Sequence, residues 1–266
     1  MANTTSGSYT FDKNFAIDET IAEAYERIGL VGSAGHQLLS ARRSLNLLFQ
    51  EWGNRGIHFW EVGHMNVDMI TPVVATDAGR IYKFFRSSGD GTNAACTDND
   101  GTSVTSPIYG ITDILNVAYR KNLGNTSSQA DTGMSKNSRD GYASFANKLA
   151  VGTPSQYWVQ RFIDHVSITI YPTPNTTAVN EGHLSVYYVK RIQDVDSTYT
   201  DATDLPYRFL APMVSGLSFY LSQKYAPQRT QELKLLYEDE LARALAEDGS
   251  AASTYITPKA YYPEVT

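Results

Sequence analysis

The strongest constraint on the fold is a block of apolar helix near the end of the chain. Residues 205–250, LPYRFLAPMVSGLSFYLSQKYAPQRTQELKLLYEDELARALAEDGS, show helical spacing on both sides of Pro227. The first half is apolar almost all round, which predicts a helix at the centre of a helical assembly. The second half has one apolar face and one charged face. A central helix of this kind needs other amphipathic helices to cover it.

Two amphipathic helices are predicted at the other end of the chain. The segment IDETIAEAYERIGL has apolar residues at helical spacing, with Asp18 as the predicted N-cap and Gly29 as the stop. A second segment, HQLLSARRSLNLLFQEWGNRG, carries a broad apolar stripe and is predicted to end at Gly53 and Gly56. Helices from both ends of the chain can bury their apolar faces only against one another, so we expect a four-helix bundle.

The residues between these helical ends are typical of strands and turns. The best strand patterns are SQYWVQRF, VSITIYPTP and HLSVYYVKRIQ, and NTTAVNEG is predicted to join the last two as a hairpin. The segment GITDILNVAYRKN fits either a strand or a short helix. Residues 87–106 have loop composition, and SRDGYASFANKLA indicates a short helix capped near Ser138.

These patterns predict the α+β fold class. Residues 1–56 and 204–249 form a discontinuous helical bundle, and residues 57–203 form a β-rich central insertion. Residues 250–266, SAASTYITPKAYYPEVT, show no periodicity and are predicted to form an extended C-terminal tail.

Composition excludes several classes of protein. Of the 266 residues, 42% are hydrophobic and 19% are charged, which is typical of a globular chain. The net charge of −6 is the opposite of what a protein needs to bind nucleic-acid phosphates. The single cysteine, Cys96, excludes an intramolecular disulfide, and no apolar run approaches the ~18 residues of a membrane span. The polar N-terminus lacks the pattern of a signal peptide, so we expect a soluble protein made in a reducing cytoplasm, without membrane contact.

No segment of the chain matches a catalytic or metal-binding motif. The stretch DNDG would need a carboxylate where Cys96 stands to be part of a calcium loop, and SSGDGTN lacks the lysine of a phosphate-binding loop. His58 and His64, with Glu61 and Asp68 nearby, match no established spacing of metal ligands, and we interpret them as surface or edge residues. We therefore predict a protein that is not an enzyme and has no cofactor or metal.

Two sites in the helical ends of the chain are candidates for contacts with partners. Arg42 and Arg43 lie off the apolar stripe of the second helix, where they suit a phosphate or a carboxylate of a partner. A solvated helix face is the plainer interpretation, and the one that the residues alone favour. The segment KYAPQRTQELK, which contains Tyr225 and Arg229, is either an inter-subunit contact or a corner between two helices.

Several segments, taken in order, resemble the head-to-tail adaptor (connector) proteins of tailed bacteriophages, chiefly short-tailed ones. They are ETIAEAYERIGL, LLSARRSLNLLFQEWGNRGIHFWEV, GTPSQYWVQRFIDHVSITIYPTPN, VYYVKRIQD and DLPYRFLAPMVSGLSFYLSQKYAPQRTQELKLLYEDELARAL. The resemblance covers nearly the whole chain, from about Phe11 to about Leu245. Residues 87–140 match no adaptor pattern.

The resemblance implies a structural ring, usually of twelve copies, in the neck of the virion. Such a ring docks beneath the portal protein, extends the DNA channel and is a platform for the tail nozzle and tail fibres. Genomic DNA passes through it without specific binding, as an acidic protein allows. The protein itself is made in the cytoplasm of the host bacterium.

A ring requires two different interface surfaces on each subunit. The predicted residues of the subunit or portal interface are Arg42, Arg43, Tyr225, Arg229, Tyr255, Ile256, Tyr261 and Tyr262. The last four are expected to anchor the C-terminal tail on a neighbouring subunit or on the portal.

Two other functions remain open. A carbohydrate- or host-binding module of the phage tail is the main alternative, because Tyr- and Trp-rich β-structure often stacks on sugars. A hydrolase would need a polar cleft with perturbed carboxylates, and the sequence nominates no residues for one.

Overall fold

The computed structural model of the protein describes residues 16–31, 35–57, 61–73, 77–98, 108–195, 203 and 205–249, without the side chains of 97–98 and 247–249. Helices lie at both ends of the chain with a β-rich region between them, which confirms the predicted α+β class. The predicted C-terminal tail, residues 250–266, lies outside the described residues.

The chain divides into two compact units. A helical unit takes in Met1–Glu51 and Asp194–Thr266, and a β unit takes in Trp52–Gln193. The division therefore falls before Trp52 and after Gln193, whereas the sequence patterns placed it at 56/57 and 203/204.

The described residues contain six α-helices. They are α1 (Ile17–Arg27), α2 (Gly35–Asn54), α3 (Arg139–Ala143), α4 (Thr176–Glu181), α5 (Leu210–Tyr225) and α6 (Thr230–Gly249). The short helices α3 and α4 belong to the β unit, and α2 passes from the helical unit into the β unit near its end. Gly53, predicted as a stop, lies inside α2, and Gly56 follows the helix with a φ of 79°.

Helix α1 begins earlier than the predicted cap and ends where predicted. Ala16 occupies the N-cap position, so the prediction of Asp18 as the cap is wrong. Asp18 lies in the first turn, where its carboxylate accepts a hydrogen bond from the Glu19 N–H at 2.9 Å and faces the positive end of the helix dipole. Gly29 has a φ of 81°, and the Leu30 N–H donates to the Tyr25 carbonyl at 3.0 Å, which is a glycine-dependent helix end.

Helix α5 is buried around most of its circumference, as its sequence predicts. Its three serines are fully buried, and each hydroxyl has an acceptor: Ser218 donates to the Val214 carbonyl and Ser222 to the Phe219 carbonyl, both at 2.7 Å. The helix begins at Leu210, after a 3-10 turn at Tyr207–Phe209, rather than at residue 205 or 206.

Helices α2 and α6 approach α5 closely at Gly216. A Cβ atom on Gly216 would lie 2.9 Å from both methyl carbons of Leu48 on α2 and 3.0 Å from the Tyr237 ring on α6. About two turns further along α5, the Lys224 ammonium donates to the Ser44 hydroxyl on α2 at 2.7 Å. The absence of a side chain at residue 216 thus lets three helices pack at one point.

The described part of the β unit contains two main sheets and a parallel strand pair. The strands are β1 (Val62–Asp68), β2 (Ile81–Phe85), β3 (Cys96–Asp98), β4 (Ile111–Lys121), β5 (Ala130–Gly133), β6 (Ser135–Lys136), β7 (Val151–Gly152), β8 (Gln156–Arg161), β9 (His165–Tyr171), β10 (Thr173–Pro174) and β11 (Gly182–Lys190). The orders are β3-β1-β11-β4-β5 and β2-β9-β8-β6, and β7 pairs with β10. The pairs are antiparallel except β6–β8 and β7–β10.

The two sheets share one hydrophobic core. On β11, Val186 lies opposite Met65 of β1 and Val117 of β4, and all three side chains are fully buried. On β9, Ile168 lies opposite Tyr82 of β2 in the other sheet, and both belong to the same cluster of buried residues. Alternation of side chains along each strand therefore directs one face of each sheet into a common interior.

Strand β4 resolves the ambiguity of GITDILNVAYRKN in favour of a strand. Its pairing with β11 skips two residues, Thr112 and Leu115, where β-bulges interrupt the register. The buried residues Ile111 and Ile114 are consequently three apart, a spacing that also occurs on a helix face and departs from the two-residue period of a strand.

The predicted hairpin between β9 and β11 is wrong. The two strands belong to different sheets, and the segment between them forms β10 and then helix α4. The Asn175 side chain caps α4 by accepting a hydrogen bond from the Ala178 N–H at 2.8 Å. The polar linker therefore carries the chain from one sheet to the other.

Two further predictions for short elements need adjustment. Strand β3 lies inside residues 87–106, which were predicted to be loop throughout. Ser138 caps α3 as predicted, but the helix ends at Ala143, so Leu149 is not part of it and is exposed.

Candidate functional site

Arg42 and Arg43 lie on α2 within the helical unit. Arg43 is exposed and Arg42 is half-buried. Neither makes a hydrogen bond or an ion pair with any residue that the structure describes. Their guanidinium groups therefore carry charge that the described part of the chain does not neutralise, which is a requirement for contact with an acidic partner.

Tyr225 and Arg229 lie together at the corner between α5 and α6, in contact with α1. The ring centroids of Tyr225 and Tyr25 are 5.9 Å apart. Burial, with a smaller effect of Tyr225, raises the pKa of the Tyr25 hydroxyl. The Arg229 guanidinium donates to the Arg27 carbonyl at 2.6 Å, which places a cation at the C-terminus of α1. These are the contacts of a helix–helix corner.

The remaining predicted interface residues belong to the predicted C-terminal tail. Tyr255, Ile256, Tyr261 and Tyr262 lie outside the described residues. Among those that are described, no hydrogen bond or ion pair joins Arg42 or Arg43 to Tyr225 or Arg229.

An acidic groove between α1 and the beginning of α5 was not anticipated from the sequence. It has a volume of about 760 Å³. The apolar part of its lining is Ala22, Tyr207, Leu210, Ala211 and Val214. Its charged and polar part is Glu19, Glu23, Glu26, Arg27 and Thr20, so the glutamates outnumber the single arginine. The three glutamates follow i, i+4, i+7 spacing, which places them on one face of α1 and was the signal available in the sequence.

The charge of the acidic groove is only partly neutralised within the chain. Glu23 forms an ion pair with Arg27 at 3.0 Å. Glu19 and Glu26 have no ion-pair partner among the residues described. Two carboxylates without an ion-pair partner in the described part of the chain, beside apolar surface, make the groove suited to a basic and apolar partner.

Helix α2 exposes a second surface that the sequence analysis did not single out. Leu39 and Leu47 are 44% and 53% exposed, and Arg43 lies between them at i, i+4 spacing. We refer to Leu39, Arg43 and Leu47 as the leucine–arginine face. The sequence indicated this surface by leucines that lie outside the buried apolar stripe of α2, because a helix with one apolar face needs no leucine on its exposed face.

A buried polar network lies on the β unit. The Arg120 guanidinium donates to both carboxylate oxygens of Asp131, at 2.7 and 2.5 Å, and to the Asn66 amide oxygen at 2.9 Å. This hydrogen bonding holds the pKa of the Asp131 carboxyl below its usual range. Arg120 is 9% exposed and Asn66 is 3% exposed. The network links β1 with β4 and β5 across the intervening strand β11, which gives it a structural role in the sheet.

The histidines considered as metal ligands have other partners. His64 lies 2.7 Å from the Ser185 hydroxyl and stacks on Tyr187 at 4.4 Å, and Asp68 lies 3.5 Å from His183. His58 lies outside the described residues. No group of three His, Cys, Asp or Glu side chains in the described ranges is arranged to hold a metal ion.

A basic pocket of about 570 Å³ lies beside β8. Its lining is Lys136, Arg139, Trp158, Val159, Gln160 and Arg161. The Trp158 ring stacks on Tyr142 at 5.1 Å, and Arg161 pairs with Asp113. An aromatic ring with nearby amide and cationic groups is a combination found in sites for sugars and for anions.

Comparison with known proteins gives no assignment. No protein-family model matches the chain, and no curated protein is significantly similar to it in sequence. Among the helices of the described residues, none combines the length and the apolar character needed to cross a membrane.

Proposed function

We propose that the protein is the structural adaptor ring of a phage neck. The observation that carries the proposal is the helical unit, in which α1 and α2 from one end of the chain pack with α5 and α6 from the other, with a β-rich region between them in sequence. This is the arrangement that the resemblance to head-to-tail adaptors implies. The protein would dock beneath the portal, extend the DNA channel and support the tail nozzle and fibres.

The charges and surfaces of the chain are compatible with this role. The net charge of −6 disfavours tight binding of DNA phosphates, so a genome can move through a channel built from such subunits. The acidic groove and the leucine–arginine face are two different surfaces on one unit, as a closed ring requires. The proposal involves no enzymatic activity and no cofactor.

The direct test is assembly with the portal protein of the same genome. The purified chain is mixed with the portal and weighed by native mass spectrometry. A complex with about twelve copies of the chain on one portal supports the proposal. A portal that remains free over a range of chain concentrations, with both proteins folded, rejects it.

The basic pocket beside Trp158 favours a second candidate function, a carbohydrate- or host-binding module of the phage tail. This function predicts binding of acidic saccharides that is lost when Trp158 and Arg139 are replaced by alanine. A glycan array, with the Lys83→Ala variant as a control on the exposed part of β2, measures it. Saccharide binding by the unmodified chain without portal binding favours this candidate.

A further inference from the structure

The helical unit carries two surfaces of opposite charge that no part of the described chain covers. The acidic groove has an apolar lining and two carboxylates, Glu19 and Glu26, without ion-pair partners among the described residues. The leucine–arginine face has two exposed leucines and Arg43, which also has no partner there. The groove is acidic and the leucine–arginine face is basic, and both include apolar side chains, so the two surfaces are complementary in charge.

The dimensions of the two surfaces also match. Leu39 and Leu47 are eight residues apart in a helix, which corresponds to about 12 Å along its axis. Glu19 and Glu26 are seven residues apart, which corresponds to about 10 Å. A helix lying along the groove can therefore place one leucine near each end of the apolar lining and an arginine within reach of a glutamate.

We propose that the leucine–arginine face of one copy of the chain docks in the acidic groove of a second copy. Because the two surfaces differ, the contact is heterologous: each copy uses its groove for one neighbour and its α2 face for the other. Closure of such contacts gives a ring. The inference rests on the proposed function for the ring, and it assigns the residues that hold neighbouring subunits together.

Local charge makes the α2 face of a second copy complementary to the groove. Glu19 and Glu26 lie on a chain that is acidic overall, so a random encounter between two copies is repulsive and needs a local basic surface to become attractive. Arg43 supplies that charge, with Arg42 one residue before it on the same helix. The exposed leucines bury apolar area at the same contact.

Cysteine cross-linking tests the contact in the full chain. In a Cys96→Ser background, Leu47→Cys and Ala22→Cys are made in separate proteins, and both positions are exposed, so folding is not expected to change. The mixture is expected to form a disulfide-linked pair, and neither protein alone is expected to do so. Leu235→Cys, on the exposed face of α6, replaces Leu47→Cys in the control mixture.

Charge reversal gives an independent readout. Arg43→Glu is expected to weaken association between copies at least about tenfold, because the introduced carboxylate would be repelled by Glu19 and Glu26 of the neighbouring copy. Adding Glu19→Arg and Glu26→Arg to the same chain is expected to restore association to within about threefold of the original. Lys234→Glu makes the same change of charge on α6 and is expected to have little effect.

Each result bears on the proposal. Cross-linking of the Leu47→Cys protein with itself would overturn it in favour of a symmetric dimer. A further protein carries both Ala22→Cys and Tyr255→Cys. A disulfide between these two positions within one chain would overturn the proposal in favour of the C-terminal segment as the occupant of the groove.

The experiment is run with and without the portal, which separates the two proposals. A portal complex of about twelve copies without the mixed cross-link leaves the function standing and refutes the contact. The mixed cross-link without a portal complex keeps the contact and refutes the function.

Discussion

Replacement of Arg120 by methionine should destabilise the β unit through the group that it leaves behind. The hydrogen bonds that Arg120 donates include two to Asp131 and one to Asn66. The Asp131 side chain is 42% exposed, so water can hydrate its carboxylate after the change. Asn66 is 3% exposed, and its amide oxygen loses the Arg120 donor in the interior.

The size of the expected destabilisation follows from the difference in exposure between Asp131 and Asn66. The loss of a donor to a buried amide oxygen costs about 1–3 kcal/mol, and the rehydrated carboxylate adds little. Methionine retains most of the apolar contacts of the arginine side chain. We therefore expect Arg120→Met to lower the free energy of unfolding of the β unit by about 2 kcal/mol.

A double-mutant cycle separates the unpaired amide from other causes. If Asn66 is the source of the cost, Asn66→Leu in the Arg120→Met protein should recover about 1 kcal/mol relative to the sum of the single changes. Urea unfolding followed by tryptophan fluorescence measures this, because Trp52, Trp60 and Trp158 all fall within Trp52–Gln193. Lys121→Met, at a neighbouring exposed ion pair, is the control and should change little.

The pH dependence should change with the same substitution. Because Arg120 lowers the pKa of Asp131 in the folded protein, the ionised carboxylate stabilises the fold above the ordinary Asp pKa of about 4. That stabilisation is lost as the pH falls below this value towards the folded pKa. The stability difference between the original protein and Arg120→Met should therefore shrink in acid. Additive single changes would refute the role of Asn66, and a difference that does not shrink would refute the smaller contribution of Asp131.

Three further predictions concern local structure. Gly182→Ala should cost about 1–3 kcal/mol in urea unfolding, because its Cβ would lie 2.6 Å from the Ala178 carbonyl oxygen and overlap the Tyr119 ring, whereas Gly133→Ala meets nothing within 4 Å and should be neutral. Asn175→Ala should cost about 1 kcal/mol through loss of the α4 cap, and Asn175→Ser should retain most of it. Arg229→Met should increase amide hydrogen exchange at the end of α1, since it removes the hydrogen bond to that helix, and unchanged exchange would contradict this role.

Sequence patterns predicted the helices and strands that are determined by residues close together in the chain. The all-round apolar character of α5 indicated its burial, and the glycine at residue 29 indicated the end of α1. Alternation along β9 and β11 predicted both strands, because side chains of a strand point to opposite faces in turn. In each case, the physical cause lies within one or two turns of helix or within one strand.

Pairing between distant strands decided what the patterns left ambiguous or predicted wrongly. The bulges at Thr112 and Leu115 arise from the register of β4 against β11, a strand about seventy residues later, and they break the period that a sequence can show. The segment after Asn175 has both turn and helix-cap character. It forms helix α4 and not a hairpin turn because β9 and β11 belong to different sheets, and no local pattern in the sequence shows this.

The candidate site shows the same division. The sequence by itself determined that Glu19, Glu23 and Glu26 share one face of α1, because helical spacing alone places them there. Only the tertiary structure set that face beside Leu210 and Val214, from the opposite end of the chain, and so made a groove. The physical reason is that burial of α5 brings distant segments together, since contacts between helices depend on surfaces and not on separation along the chain.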